Sequence, residues 1–156
     1  IENVMVGADT DCRTTFVESL LALPRYRREE RELHHRAMEA LALVGLDRLA
    51  GVRADRLQHS ELRFVEIARA VMMKPKFILL DEPAAGLSVE EIRRLGALIR
   101  AIRQQGTGVL LVEHHADLIF EICDRVTVLN LGKVLASGEP EEVRTHREVV
   151  NAYLGA

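Results

Sequence analysis

Cysteine is scarce in this 156-residue chain: Cys12 and Cys123 stand far apart, and neither belongs to a CxxC pair. The expected state is two buried, reduced thiols of a cytosolic protein. Long hydrophobic runs are missing too, since no segment approaches the roughly 18 apolar residues that a membrane-spanning helix needs. Nor does charge of one sign prevail. The 21 basic and 24 acidic residues leave a net charge of -3, which gives no general attraction to nucleic acid or anionic lipid. There is no internal repeat, no low-complexity segment and no sustained heptad pattern of a coiled coil. What is present is a globular mixture, 48% apolar and 29% charged, long enough for one domain or a piece of a larger one. The chain opens at IENVMVG without an initiator Met or a signal peptide, and it reads as cut from something longer.

The pattern changes near residue 57. Before it, PRYRREERELHHRAMEALALVGL spaces Leu33, Ala37, Ala40, Leu41 and Val44 three and four apart, which predicts a helix capped by Gly45. The charged run from Arg25 to Arg36 mixes both signs, so it reads as a solvated helix face laced with i,i+3 and i,i+4 pairs. His34 and His35 are neighbours that point in different directions on a helix, and both read as surface residues. After residue 57 helices and strands alternate. ELRFVEIARAVMM predicts a helix, FILLD a strand, and SVEEIRRLGALIRAIRQQ a second helix. In the last of these, Ser88 and Glu91 have capping-box spacing, Leu87 and Ile92 the positions of a hydrophobic staple, and Ile92, Leu95, Ile99 and Ile102 form the stripe to be buried. GVLLVE predicts a strand, HADLIFEIC a helix, and VTVLNLGKVLASG two strands joined at Asn130 to Gly132, before Pro140 opens a last helix. Strands buried on both faces and separated by helices mean an α/β layered fold with a mostly parallel sheet.

The stretch KFILLDEPAAGL carries an apolar run straight into Asp81 and Glu82. Open α/β sheets bind ligands at the carboxyl ends of their strands. Asp81 would therefore stand where a phosphate-bound Mg²⁺ can sit, held directly or through water. Glu82, pointing elsewhere, could orient or deprotonate an attacking water, a role worth about 10² to 10⁴ in rate. The same pair also suits a solvent-exposed strand end before a turn, and the segment alone leaves both readings open.

The neighbours decide between them. In order come LQHSELRFVEIARA, then FILLDEP, then AAGLS, then VEHH after a second buried strand. This arrangement resembles the ATP-binding cassette (ABC) ATPases, and more narrowly the ATPase subunits of branched-chain amino acid importers. The segments stand where that family has its signature motif, its Walker B strand with the catalytic glutamate, its D-loop and its switch histidine. The tail GKVLASGEPEEV with REVVNAYLGA is similar to the ending of those importer ATPases, and IENVMVG to the segment just after the family's Q-loop. The resemblance implies an α/β fold, the carboxy-terminal part of a P-loop NTPase (RecA-like) ABC ATPase core with the ABC α-helical subdomain. Residues 1–57 would belong to the helical subdomain, 58–137 to the signature helix and core, and 138–156 to the carboxy-terminal helical tail. ATP and Mg²⁺ are the implied ligands. Asp81 would hold Mg²⁺ through water, Glu82 would polarise the hydrolytic water, and His114 would contact the γ-phosphate and steady Glu82. Leu57, Gln58, His59, Ser60 and Glu61 would face ATP bound to the opposite subunit, and Ser88 would belong to the D-loop. The implied partners are a second ABC ATPase subunit, membrane permease subunits and, indirectly, a substrate-binding protein, with no nucleic acid. The implied location is peripheral, on the cytoplasmic face of the cell membrane.

The chain departs from the family pattern in two ways. It has no GxxxxGK[ST], the loop whose backbone N–H groups and Lys cradle phosphates, so alone it is expected to bind ATP poorly and to be inactive, as a carboxy-terminal fragment would be. In place of the signature LSGGQ it has Leu57, Gln58, His59, Ser60 and Glu61. Ser60 replaces a glycine where the backbone should approach a phosphate closely, though it suits the N-cap of the following helix, and Glu61 adds a negative charge. Two functions follow: an ATP-hydrolysing importer subunit, or a non-catalytic half of a transporter with a degenerate signature motif.

Overall fold

The computed structural model describes residues 1–11 and 24–154, so Cys12 lies outside the described residues. The chain forms two compact units, Ile1–Ile78 with Ile102–Leu110, and Leu79–Ala101 with Leu111–Ala156.

The first unit is mainly helical. Helix α1 (Glu2–Met5) packs against α2 (Pro24–Leu43) and α3 (His59–Met72). The spacing anticipated for α2 places Ala37, Ala40 and Leu41 in the core together with Val44 and Leu46, while most of its arginines and glutamates face solvent. Gly45, at φ 67°, ends the helix. Its N–H donates to the Ala42 carbonyl at 2.9 Å and that of Leu46 to the Leu41 carbonyl at 2.8 Å, a Schellman closure in which glycine relieves the left-handed strain. Phe64, Ile67, Ala68 and Met72 are the buried stripe of α3. Arg36 departs from its charged run: its guanidinium reaches in and donates to the Met72 carbonyl at 2.6 Å, satisfying an orphan acceptor at the end of α3.

In the second unit, Ser88 caps α4 (Val89–Gln104) as its spacing predicts. The Ser88 N–H and hydroxyl both donate to the Glu91 carboxylate at 2.8 Å, and the Glu91 N–H returns a bond to the hydroxyl at 3.3 Å. Helix α5 (Ala116–Ile122) lies against Gly96 of α4, where a Cβ would stand 3.1 Å from the Leu118 side chain. Strands β3 (Val126–Asn130) and β4 (Lys133–Gly138) pair antiparallel around Leu131 and Gly132. Both turn residues have positive φ, 49° and 77°, as a two-residue hairpin of matching twist demands. Helices α6 (Pro140–Arg144) and α7 (Arg147–Val149) close a small core of Val126, Val143 and Val149. Cys123 packs at its edge, half-buried rather than fully buried as expected.

Strands β1 (Phe77–Asp81) and β2 (Gly108–Val112) pair with each other. The Gly108 N–H donates to the Lys76 carbonyl at one end, and the Glu82 N–H donates to the Val112 carbonyl at the other, so the strands run parallel, as a helical crossover requires. Two expectations are corrected here. The described strands form two separate two-stranded sheets instead of one mostly parallel sheet. And β1 is buried on one face only: Ile78 and Leu80 are inside, whereas Phe77 and Leu79 are 72% and 74% exposed, joined by Leu110 and Val112 of β2. A run apolar at every position cannot show by itself that just one of its two faces is covered.

Candidate functional site

Asp81 ends β1 exposed, at the carboxyl edge of the strand. Its carboxylate is a hard oxygen donor open to solvent, which suits a Mg²⁺ ion taken directly or through water. Directly after it the chain reverses. Glu82 takes φ 43°, a left-handed conformation that costs a non-glycine residue of order 1 to 3 kcal/mol and persists only where surroundings enforce it. The enforcement is visible in the main chain: the Glu82 N–H donates to the Val112 carbonyl at 2.9 Å, and its carbonyl accepts from the Ala85 N–H at 3.1 Å. The turn lifts the Glu82 side chain off the strand and leaves it 58% exposed.

His114 leaves β2 beside it. Its Nδ1 stands 3.8 Å from the Glu82 Oε1, and the ring is 62% exposed. That separation is too long for a direct hydrogen bond and suits a shared water or a shift of one rotamer. His115, to which no role is assigned, stacks on His114 with ring centroids 4.7 Å apart. The parallel pairing of β1 and β2 thus brings Asp81, Glu82 and His114 to one edge of the same unit.

Glu113, singled out by no motif, is the residue that sequence reasoning missed. Its side chain is fully enclosed, at 0% exposure. Oε1 accepts the Ala84 N–H at 2.7 Å, and Oε2 accepts the N–H groups of His114 at 3.0 Å and His115 at 3.4 Å. The available signal was an acidic residue closing the apolar run GVLLV directly before the histidines. One ligand atom each of Glu113, His114 and His115 lie within 4.8 Å of one another. The carboxylate is nevertheless occupied by amides and shut away, so the geometry is that of a backbone clamp rather than of a metal ligand.

The predicted signature residues lie in the first unit. Gln58, with φ -70° and ψ 160°, is the N-cap of α3. Ser60 is therefore the second helical residue and not the cap anticipated for it. Leu57 is half-buried in extended backbone before the cap, and His59 begins the helix in solvent. The Glu61 carboxylate folds back to accept the Gln58 N–H at 2.7 Å. A negative charge of the chain's own thus sits on the helix N-terminus, where backbone N–H groups and the helix dipole would otherwise favour an outside anion. The Ser88 hydroxyl is held in the cap of α4. A groove of about 650 Å³ lined by Arg36, Glu39, Met72, Lys74, Lys76 and Thr107 includes none of these candidates.

Residues 5–85 match the family model described as ABC transporter, and residues 133–156 match that described as branched-chain amino acid ATP-binding cassette transporter. The chain is 40% identical over 156 residues to the high-affinity branched-chain amino acid transport ATP-binding protein LivG of Salmonella typhimurium, and likewise to BraF of Pseudomonas aeruginosa. Each alignment covers 99% of this chain and 61% of the relative, so the chain spans about three-fifths of the length of these proteins. Among solved structures, the ATP-binding cassette MJ1267 of an ABC transporter superposes with a TM-score of 0.78 at 27% identity, over 99% of this chain and 62% of that one.

Proposed function

The chain belongs to the ABC transporter family, and from that premise we propose that it is the hydrolytic part of an ATP-hydrolysing subunit of an importer for branched-chain amino acids or similar small amides. The observation that carries this reading is Glu82, held at φ 43° with its carboxylate 3.8 Å from the His114 imidazole. Phosphoryl transfer asks little covalent chemistry of a protein; it asks for a positioned water and stabilised charge. Glu82 orients that water and takes its proton onto the carboxylate as the oxygen attacks the γ-phosphorus, while the bond from that phosphorus to the β,γ-bridging oxygen breaks and ADP leaves with the electron pair. His114 steadies Glu82 and donates to a γ-phosphate oxygen. Asp81 would hold Mg²⁺ through water, and the ion, when bound, neutralises charge on the transferred phosphoryl group. No GxxxxGK[ST] occurs in these 156 residues, so the activity is that of an assembly in which such a loop holds the phosphates.

Within the same reading, residues 1–57 belong to the helical subdomain, 58–137 to the signature helix and ATPase core, and 138–156 to the tail. The partners are a second ATPase subunit, facing Leu57 to Glu61 and Ser88 across a bound ATP, and membrane permeases at the cytoplasmic face, served by a substrate-binding protein. Glu61 on the N-terminus of α3 favours a second reading, a non-catalytic nucleotide-binding or structural half of an ABC transporter with a degenerate signature motif.

Phosphate release from ATP by the intact ATPase, phosphate loop included, tests the first reading. Glu82→Gln keeps the shape and removes the base, and turnover is expected to fall by about 10² to 10⁴ while ATP still binds. Turnover unchanged by the substitution would remove Glu82 from the mechanism.

A further inference from the structure

We propose that Glu113 is a positioning residue, an enclosed carboxylate that ties the loop after β1 to the loop after β2 and so sets the distance between Glu82 and His114. The inference rests on the hydrolytic role proposed above for those two side chains. Glu82 and His114 project from different strands, and both are more than half exposed. At 3.8 Å and in solvent, the two side chains do not by themselves fix the distance between them. The Glu82 N–H is tied to the Val112 carbonyl at the end of β2, and beyond that bond the two loops are spanned by the Glu113 side chain, with Ala84 on one oxygen and His114 and His115 on the other. Ala84 is fully buried two residues after Glu82, so a shift of its amide is felt directly by the strained Glu82 backbone. Bonds between a carboxylate and backbone N–H groups are among the stronger hydrogen bonds, and here they replace water around a charge with no exposed surface. A glutamine of equal size cannot do the same work. Its amide has one oxygen to accept and an NH₂ group that can only donate, so one of the two loops must lose its bond and face a donor instead.

Two measurements on Glu113→Gln test the inference. In the protein itself, the Ala84 and His114 amides should resist hydrogen exchange. The substitution should speed exchange at one or both by about tenfold or more and leave the α4 amides as they were. In the intact ATPase, kcat for ATP should fall about 10²-fold, the scale of a misplacement near 1 Å, with KM for ATP little changed. A residue that only stabilises the fold would lower the melting temperature and leave kcat of the folded fraction alone. Rapid exchange of Ala84 and His114 in the unsubstituted protein would overturn the proposal even if the variant failed to fold. If Glu82→Gln abolishes turnover and Glu113→Gln does not alter it, this inference alone falls. If Glu82→Gln has no effect, the reading beneath it falls first.

Discussion

At the scale of single residues, the site is made by side chains whose backbone is fixed from elsewhere. Glu82 accepts left-handed strain because the β2 carbonyl and the Ala85 amide close the turn around it. Glu61 shows the opposite tendency, a proposed signature position that satisfies itself. Its carboxylate caps the Gln58 N–H at 2.7 Å, and on the proposed reading it would repel a phosphate arriving at the same place. A charge at a helix end is worth about 0.3 to 1 kcal/mol, so Glu61→Gln should lower KM for ATP in the intact ATPase by about two- to fivefold. Titrating turnover against ATP checks this, and an unchanged or raised KM would show that the Glu61 charge does not oppose nucleotide.

At the scale of elements, local sequence signals were strong where one physical rule acted alone. The Ser88 and Glu91 capping box, the Schellman end at Gly45 and the hairpin turn before Gly132 were all legible, because each is settled by residues within one turn of chain. Ser88→Ala should therefore cost about 1 kcal/mol, measured as a lower midpoint of denaturant unfolding. Signals failed where a distant partner decided. Ser60 has the better chemistry for a cap, yet the helix begins one residue after Gln58, and Glu61 completes the turn from within. Glu113 looked like the tail of a strand, because its partner Ala84 lies 29 residues away. Gly7 is a third case: a Cβ there would strike the backbone carbonyl of Arg69 on α3. Gly7→Ala should cost about 1 to 3 kcal/mol, read in the same unfolding experiment, and a neutral result would mean that the turn after α1, Val6–Asp11, sits less tightly on α3.

At the scale of the whole molecule, the α/β class and the order of motifs were legible from residues 57 to 115, while the state of the sheet was not. Periodicity reports which residues are apolar, and only the assembled layers report which of them are covered. Phe77, Leu79, Leu110 and Val112 stay in solvent on alternate positions of β1 and β2. The central claim is narrower than the fold: the turn after β1 and the loop after β2 bring Glu82 and His114 into one catalytic unit. A double-mutant cycle on ATP turnover by the intact ATPase tests it most directly. Glu82→Gln and His114→Ala should each abolish most turnover, and the two together should lose little more than either alone, as residues acting as a unit do. Losses that simply multiply, or a His114→Ala variant as fast as the unsubstituted protein, would contradict the account.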